Sequence, residues 1–215
     1  RYSKYCTKFF LCPDFKKDEF ADFLLELAGR EKIKDWILVP SNDHAVKTLS
    51  KNKTRLEKFY KVLAPNPAVL ENIYDKLKLL KLAERAGIPI PGTYFFERVP
   101  DKMPDDMAFP LILKGRFGLS FYKSFRKKVF LANDEKIFRK QFETICRKIN
   151  PHEIIVQELI PPDPIRKTIS FTAFCEKGLI KTYWMGEKIR EHPIRFGTAT
   201  FAKSVFEEKC YLQSK

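Results

Sequence analysis

The sequence predicts an α/β protein, because segments with strand-like and helix-like spacing of apolar residues alternate along it. Its 215 residues are enough to bury a core in one large domain or two small ones. Apolar residues make up 44% and charged residues 32%, a composition typical of folded chains and not of disordered ones. The alternation starts as helix, strand, helix, strand and becomes strand-rich in the second half.

The first seventy residues predict part of a Rossmann-like parallel sheet. The apolar spacing in residues 18–30 predicts a helix that starts near Asp18 and ends at Gly29. DWILVP (35–40) and KVLAP (61–65) predict two short strands, with a capped helix after the first. The first strand and glycine-rich turn of such a sheet are absent, so we expect this layer to be truncated at its N-terminus.

A third helix precedes the strand-rich half. Ile73, Leu77 and Leu80 recur at helical spacing, and Gly87 ends the helix before two prolines that prevent it from resuming. TYFF (93–96) starts a strand, and the polar, proline-rich loop 99–107 is the best candidate for a subdomain boundary.

The second half contains the remaining predicted elements. A glycine-bearing loop follows the strand that ends at Lys114. We predict strands at 110–114, 127–132 and 153–159, an amphipathic helix at 133–148, a hairpin over 167–186 and a last strand at 198–205.

Charge and cysteine usage limit the possible partners and compartments. The net charge of +14 favours anionic partners, and KSFRKK (123–128) is the only dense basic run. The five cysteines are odd in number and widely spaced without CxxC, and the three histidines have no ligand spacing, which argues against a disulfide framework or a zinc site. No apolar run approaches the roughly 18–20 residues that span a bilayer, and the N-terminus has no signal-peptide pattern. We therefore expect a cytoplasmic protein.

Four features occur in a fixed order and could together bind a nucleoside triphosphate. Asp75-Lys76 begins a helix, Lys114 ends a strand, residues 157–160 end another strand before PPDP, and the basic stretch GEKIREHPIRFGT (186–198) follows. Lysines are compact charges for phosphates. A strand that turns into a proline-rich segment offers backbone groups to an adenine edge, and further cations can stabilise charge in phosphoryl transfer.

This order resembles the ATP-grasp superfamily over most of the chain. Residues 39–52 (VPSNDHAVKTLSKN) and 186–200 (GEKIREHPIRFGTAT) are similar to its carboxylate–amine ligase-like branch. The usual proline after the phosphate-binding lysine is here Gly115. The segments that resemble the superfamily's first helix and strand, its lysine-bearing strand and its adenine hinge are IYDKLKLLKLAERAGIPIPGTYF (73–95), FPLILKG (109–115) and VQELIPP (156–162).

The resemblance implies a fold and an activity. It implies a partial Rossmann-like pre-ATP-grasp domain over 1–70 and ATP-grasp α+β subdomains over 71–215, with a hinge near 157–163 and an incomplete C-terminal subdomain. It implies an ATP-dependent carboxylate–amine ligase that uses ATP and Mg²⁺ and takes a small-molecule carboxylate and an amine as substrates.

The resemblance also implies roles for individual residues. Lys76 and Lys114 take the positions that bind phosphates. Glu158, Leu159 and Ile160 take the positions that read the adenine, and Asp163 takes the position that faces the ribose. Lys188 and Arg190 take the positions that point into the active cleft, with Arg195 as a weaker candidate.

This sequence departs from the family's pattern at the positions that bind the metal. The family holds Mg²⁺ with acidic residues and an asparagine on later strands, whereas only FEEKCYLQSK follows Val205, and Glu207 and Glu208 come too early. We therefore expect the Mg²⁺ ligands to lie outside a truncated fragment, which by itself would be inactive.

Simpler interpretations of the same residues remain open. Asp75-Lys76 could only complement a helix start, Glu158 could be a surface charge, and Lys188 and Arg190 could line the solvent face of a hairpin. At the level of function, a nucleic-acid-binding module and an ATP-grasp domain without turnover are the alternatives. We do not expect nucleic acid as the partner, because the basic residues form no single stripe in the sequence.

Overall fold

A computed structural model describes residues 2–160, 167–194 and 196–214. The chain divides into two compact units, of which the first ends at Ile88 and the second begins at Pro89. Both units combine helices and strands, and the predicted α/β class is confirmed.

Unit 1 packs helices around a pair of parallel strands. Tyr60 lies in the core and donates its hydroxyl hydrogen bond to the carbonyl of Leu24 at 2.7 Å. The helices are α1 (Glu19–Arg30), α2 (Asp43–Lys51), α3 (Lys53–Leu56), α4 (Pro67–Tyr74) and α5 (Lys76–Arg85), and the strands are β1 (Trp36–Leu38) and β2 (Tyr60–Val62).

Local sequence explains where the helices of unit 1 start and stop. The Asn42 side chain accepts a hydrogen bond from the Ala45 amide and so caps α2. α5 begins at Lys76 as predicted, but Ile73 belongs to the separate helix α4, because the backbone is extended at Asp75. Gly87 follows α5 with φ of +70°, a conformation that glycine adopts without strain.

The first sheet of unit 2 has four antiparallel strands in the order β3-β6-β4-β5. Its strands are β3 (Thr93–Tyr94), β4 (Leu111–Gly115), β5 (Val129–Ala132) and β6 (Ile154–Glu158), and its helices are α6 (Gly118–Phe125) and α7 (Glu135–Cys146). The predicted strand positions in this sheet are confirmed.

The two faces of this sheet have different surroundings. On one face Leu111 and Leu113 are fully buried against aromatic residues of α6 and α7, including Phe121 and Phe138. Side chains of a strand alternate between faces, so Lys114 lies on the other face. The pairing of Lys114 with Ile155 places Gln157, two residues further along β6, on that same face.

A helix occupies the segment that we expected to be a loop after Lys114. In α6, Phe121 and Phe125 are four residues apart, and their rings pack at a tilt with 4.8 Å between centroids. Both rings also contact Phe130 of β5. This apolar pair orders the segment, because residues i and i+4 share one face of a helix. The sequence prediction missed α6 because it rested on the glycines.

The second sheet of unit 2 is an antiparallel meander, β7-β8-β9. Its strands are β7 (Ile169–Glu176), β8 (Leu179–His192) and β9 (Thr198–Ser204), and α8 (Glu208–Ser214) follows them. β8 is longer than predicted and includes most of the basic stretch 186–198. Tyr211 of α8 packs against the stacked rings of Phe171 and Tyr183.

Candidate functional site

Lys114 stands at the end of β4, on the sheet face opposite the aromatic core. It is half-buried, and its Nζ donates a hydrogen bond of 2.6 Å to Oε1 of Gln157 on the neighbouring strand β6. A cation at this position is partly shielded from water, so an anion that approaches it would be attracted more strongly than at a fully exposed lysine.

Gln157 links Lys114 to the third strand of the sheet. Its Nε2 donates to Oγ1 of Thr93 at 2.8 Å, and the Thr93 hydroxyl donates to the carbonyl of Pro91 at 2.7 Å. Gln157 is only 4% exposed. The sequence analysis missed a role for the Gln157 and Thr93 side chains, although a glutamine within the apolar strand EIIVQEL was a signal that something polar faces it.

The residues after Gln157 bond the end of β6 to the residues that precede β3 and β4. The Glu158 carboxylate accepts a hydrogen bond from the Gly92 amide at 3.2 Å, and the Glu158 amide donates to the Gly92 carbonyl at 2.8 Å. The Leu159 amide donates to the carbonyl of Pro110, and Ile160 is 60% exposed. Glu158 therefore has a structural role in the fold.

The predicted ribose-facing position Asp163 and the weaker candidate Arg195 lie outside the described residues.

Lys188 and Arg190 lie on β8, where the pairing with β9 is irregular. Lys188 pairs with Ala202, Arg190 with Phe201 and Glu191 with Ala199, so the register shifts at Ile189 of β8 and shifts back at Thr200 of β9. Since neighbouring residues of a strand point to opposite faces, this register places Lys188 and Arg190 on opposite faces of the sheet. In a regular strand Lys188 and Arg190 would share one face, and the irregular pairing interrupts that alternation.

The side-chain contacts of this pair agree with the register. Lys188 Nζ lies 2.6 Å from a carboxylate oxygen of Glu191, and the guanidinium of Arg190 lies 5.3 Å from the ring centre of Phe201. Lys188 is on the three-stranded sheet, whereas Lys114 is on the four-stranded one.

Glu187 is a buried acid on the same strand that the sequence analysis did not single out. It is 9% exposed, and one carboxylate oxygen lies 3.2 Å from Lys203 Nζ and 3.8 Å from Lys167 Nζ. These two lysines compensate a charge that would otherwise be costly to bury.

Lys76 belongs to unit 1, at the first position of α5. It is partly buried, and this burial lowers the pKa of its ammonium group, while the carboxylates of Asp43 and Asp75 act in the opposite direction. The Asp75 side chain accepts a hydrogen bond from the Leu77 amide at 3.0 Å and so caps the helix. A role of Lys76 in phosphate binding stays a prediction.

No group of three or more His, Cys, Asp or Glu side chains in the described part of the chain could hold a metal ion. The described residues therefore do not form a Mg²⁺ site of their own. Within residues 2–160, 167–194 and 196–214, no helix has the length and apolar character to cross a bilayer.

Comparison with known proteins identifies the fold. No protein-family model and no curated protein matches the chain. Among solved structures, an L-amino acid ligase from Bacillus licheniformis superposes with a TM-score of 0.59 at 15% identity, covering 94% of this chain and 44% of that one. D-alanyl-alanine synthetase A from Vibrio cholerae O1 superposes with a TM-score of 0.53 at 13% identity, covering 83% of this chain and 56% of that one.

The chain thus spans about half the length of the solved proteins that it resembles. Both are ATP-grasp ligases, so the ATP-grasp fold that the sequence motifs predict is confirmed.

Proposed function

We propose, from the ATP-grasp fold of this chain, that it forms part of the nucleotide-binding cleft of an ATP-dependent ligase. In the proposed reaction a carboxylate oxygen takes the γ-phosphoryl group of ATP, which gives ADP and an acyl phosphate. An amine or a similar nucleophile then displaces phosphate from the acyl carbon, and with an amine the product is an amide. The substrates are therefore ATP, accompanied by Mg²⁺, and a small-molecule carboxylate and amine.

The observation that carries this proposal is the placement of Lys114. One face of its sheet is filled by the aromatic core, whereas the other face presents a half-buried ammonium group held by a buried amide. A lysine used only for solubility would extend into water, where its charge is fully hydrated. A partly desolvated cation held in one position is suited to neutralise the charge of phosphate groups.

The remaining residues have narrower proposed roles. We assign the segment Glu158–Ile160 to the adenine, since the exposed Ile160 could cover one side of the ring. Lys188 or Arg190 would stabilise charge on the transferred phosphoryl group. Because the two lie on opposite faces of β8, we expect only one of them to affect nucleotide binding.

The proposed chemistry requires the side chains to supply only charge in a defined position. Phosphoryl transfer is accelerated mainly by alignment of the reacting groups and by stabilisation of the developing charge. A nucleophilic or general-base side chain is not part of the proposal.

The test is binding of Mg²⁺-ATP, measured by isothermal titration calorimetry on the wild-type chain, Lys114→Ala and Lys102→Ala. Lys102 is the matched control, because it is an exposed lysine of the same unit that pairs with the exposed Asp105. We expect Lys114→Ala to weaken binding by about 10-fold or more, since a hydrogen bond to a charged group contributes roughly 1.5–3 kcal/mol. Lys102→Ala should bind ATP as the wild type does.

Equal ATP affinity in all three proteins would contradict the proposal, and so would the absence of ATP binding by a folded wild-type chain. Folding of each variant is checked by circular dichroism.

A further inference from the structure

We propose that Gln157 and Thr93 are positioning residues that aim the ammonium group of Lys114, an inference that rests on the proposed function. The three side chains come from three strands of one sheet and form a continuous series of hydrogen bonds that ends on the carbonyl of Pro91. Gln157 and Thr93 themselves are not expected to touch the nucleotide.

The direction of every hydrogen bond in this series is determined by its last member. The Pro91 carbonyl can only accept, so the Thr93 hydroxyl donates its single hydrogen to it. The Thr93 oxygen is then an acceptor and requires the NH₂ group of the Gln157 amide. The carbonyl oxygen of that amide consequently faces Lys114, which can only donate.

Burial makes this arrangement effective. Gln157 is 4% exposed, so water competes poorly for its amide, and hydrogen bonds in a shielded setting are strengthened by their neighbours. A free lysine side chain samples many rotamers, and ordering it when a ligand binds costs conformational entropy. A lysine already held in place by Gln157 loses less freedom on binding.

The neutrality of the amide is equally important. Glutamine orients the ammonium group without cancelling its charge, whereas a carboxylate at the same position would form an ion pair with it. The substitution Gln157→Glu keeps the size and shape of the side chain and changes only the charge and the donor group. It is therefore the sharpest probe of the proposed role.

We expect Gln157→Glu to change the thermal unfolding midpoint little, because the ion pair that it adds with Lys114 offsets the hydrogen bond to Thr93 that it removes. The affinity for Mg²⁺-ATP should nevertheless fall by about 10-fold or more, because a negative charge now lies beside the phosphate-binding lysine. A purely structural role for Gln157 would make affinity and stability change together.

Thr93 offers a matched pair of substitutions. Thr93→Val keeps the shape of the side chain and removes the hydroxyl that orients the amide, so ATP affinity should fall several-fold. Thr93→Ser keeps the hydroxyl and should retain wild-type affinity. Thr93 lies on β3, at the edge of its sheet, so both variants are expected to fold.

Calorimetry with Mg²⁺-ATP and thermal unfolding are measured on the wild type, these three variants and Lys114→Ala. Loss of affinity in Gln157→Glu and Thr93→Val, with Thr93→Ser unchanged, would support the positioning role. Wild-type affinity in Gln157→Glu, with affinity lost in Lys114→Ala, would overturn it and leave the proposed function intact. If Lys114→Ala also binds ATP normally, the proposed function itself fails.

Discussion

At the residue scale, the ionisation of Lys76 shows how burial acts on a single group. The unfolded chain has the ordinary lysine pKa of 10.5, and burial lowers the value in the folded chain. The charged form is therefore disfavoured by folding, and this penalty is fully present at every pH below the lowered value. As pH rises through the lowered pKa toward 10.5, the folded state loses its proton first and the penalty disappears.

We predict that Lys76→Met stabilises the chain at pH 7 and that this gain shrinks as pH rises toward 10.5. Methionine has a similar length without the charge, so the substitution removes the desolvation penalty and retains most of the packing. The urea unfolding midpoints of wild type and variant, compared at each pH, measure the effect. Lys81→Met, at an exposed position of the same helix, is the control and should show no such trend.

A constant difference between Lys76→Met and the wild type from pH 7 to 10.5 would show that the ammonium group is not perturbed. A loss of stability at pH 7 would show that the carboxylates of Asp43 and Asp75 outweigh the burial.

At the scale of elements, the contact between β4 and α6 explains the residue that follows Lys114. A Cβ atom on Gly115 would overlap the Cβ of Phe121. α6 can approach the end of β4 this closely only because residue 115 has no side chain. Gly115, which stands where ATP-grasp sequences usually have proline, thus leaves room for the helix that follows it.

We predict that Gly115→Ala destabilises the protein by about 1–3 kcal/mol, the range typical of overpacked cores. Shortening Phe121 to leucine should not rescue the variant, because the overlapping Cβ atom remains. Gly29→Ala is the control: it lies in α1 with no neighbouring atom within 4 Å of the added group, and should stabilise by roughly 0.5–1 kcal/mol.

Chemical denaturation measures both glycine variants. A Gly115→Ala variant as stable as the wild type would contradict the close contact between α6 and the end of β4.

At the scale of the whole molecule, the net charge of +14 bears on the nucleic-acid alternative. The fold brings Lys148, two residues after α7, next to the basic run 123–128. Its Nζ lies 5.5 Å from the ring centre of Phe125 and 3.5 Å from the Ser124 carbonyl. A local concentration of positive charge of this kind attracts any polyanion.

We predict only weak binding of a labelled single-stranded RNA, with a Kd of about 10⁻⁴–10⁻⁶ M at physiological salt and a steep decrease in affinity as salt rises. Fluorescence anisotropy over a salt series measures it. A tight complex that resists salt would favour the nucleic-acid alternative over the ligase.

The sequence by itself determined the α/β class, the places of the strands and of helices α1, α2, α5 and α7, the capped start of α2 and the place of Lys114 at the end of a strand. These features depend on residues close together in the chain, whose spacing is visible without a structure. The order of the motifs also led correctly to the ATP-grasp fold.

Only the tertiary structure decided which side chains meet. Lys114 and Gln157 are 43 residues apart, and Gln157 and Thr93 are 64 residues apart. Their contact depends on strand order and register, which local periodicity does not specify. The register shift at Ile189, which separates Lys188 from Arg190, and the packing of Phe121 on Gly115 likewise arise from pairing and packing between elements, and neither leaves a local pattern in the sequence.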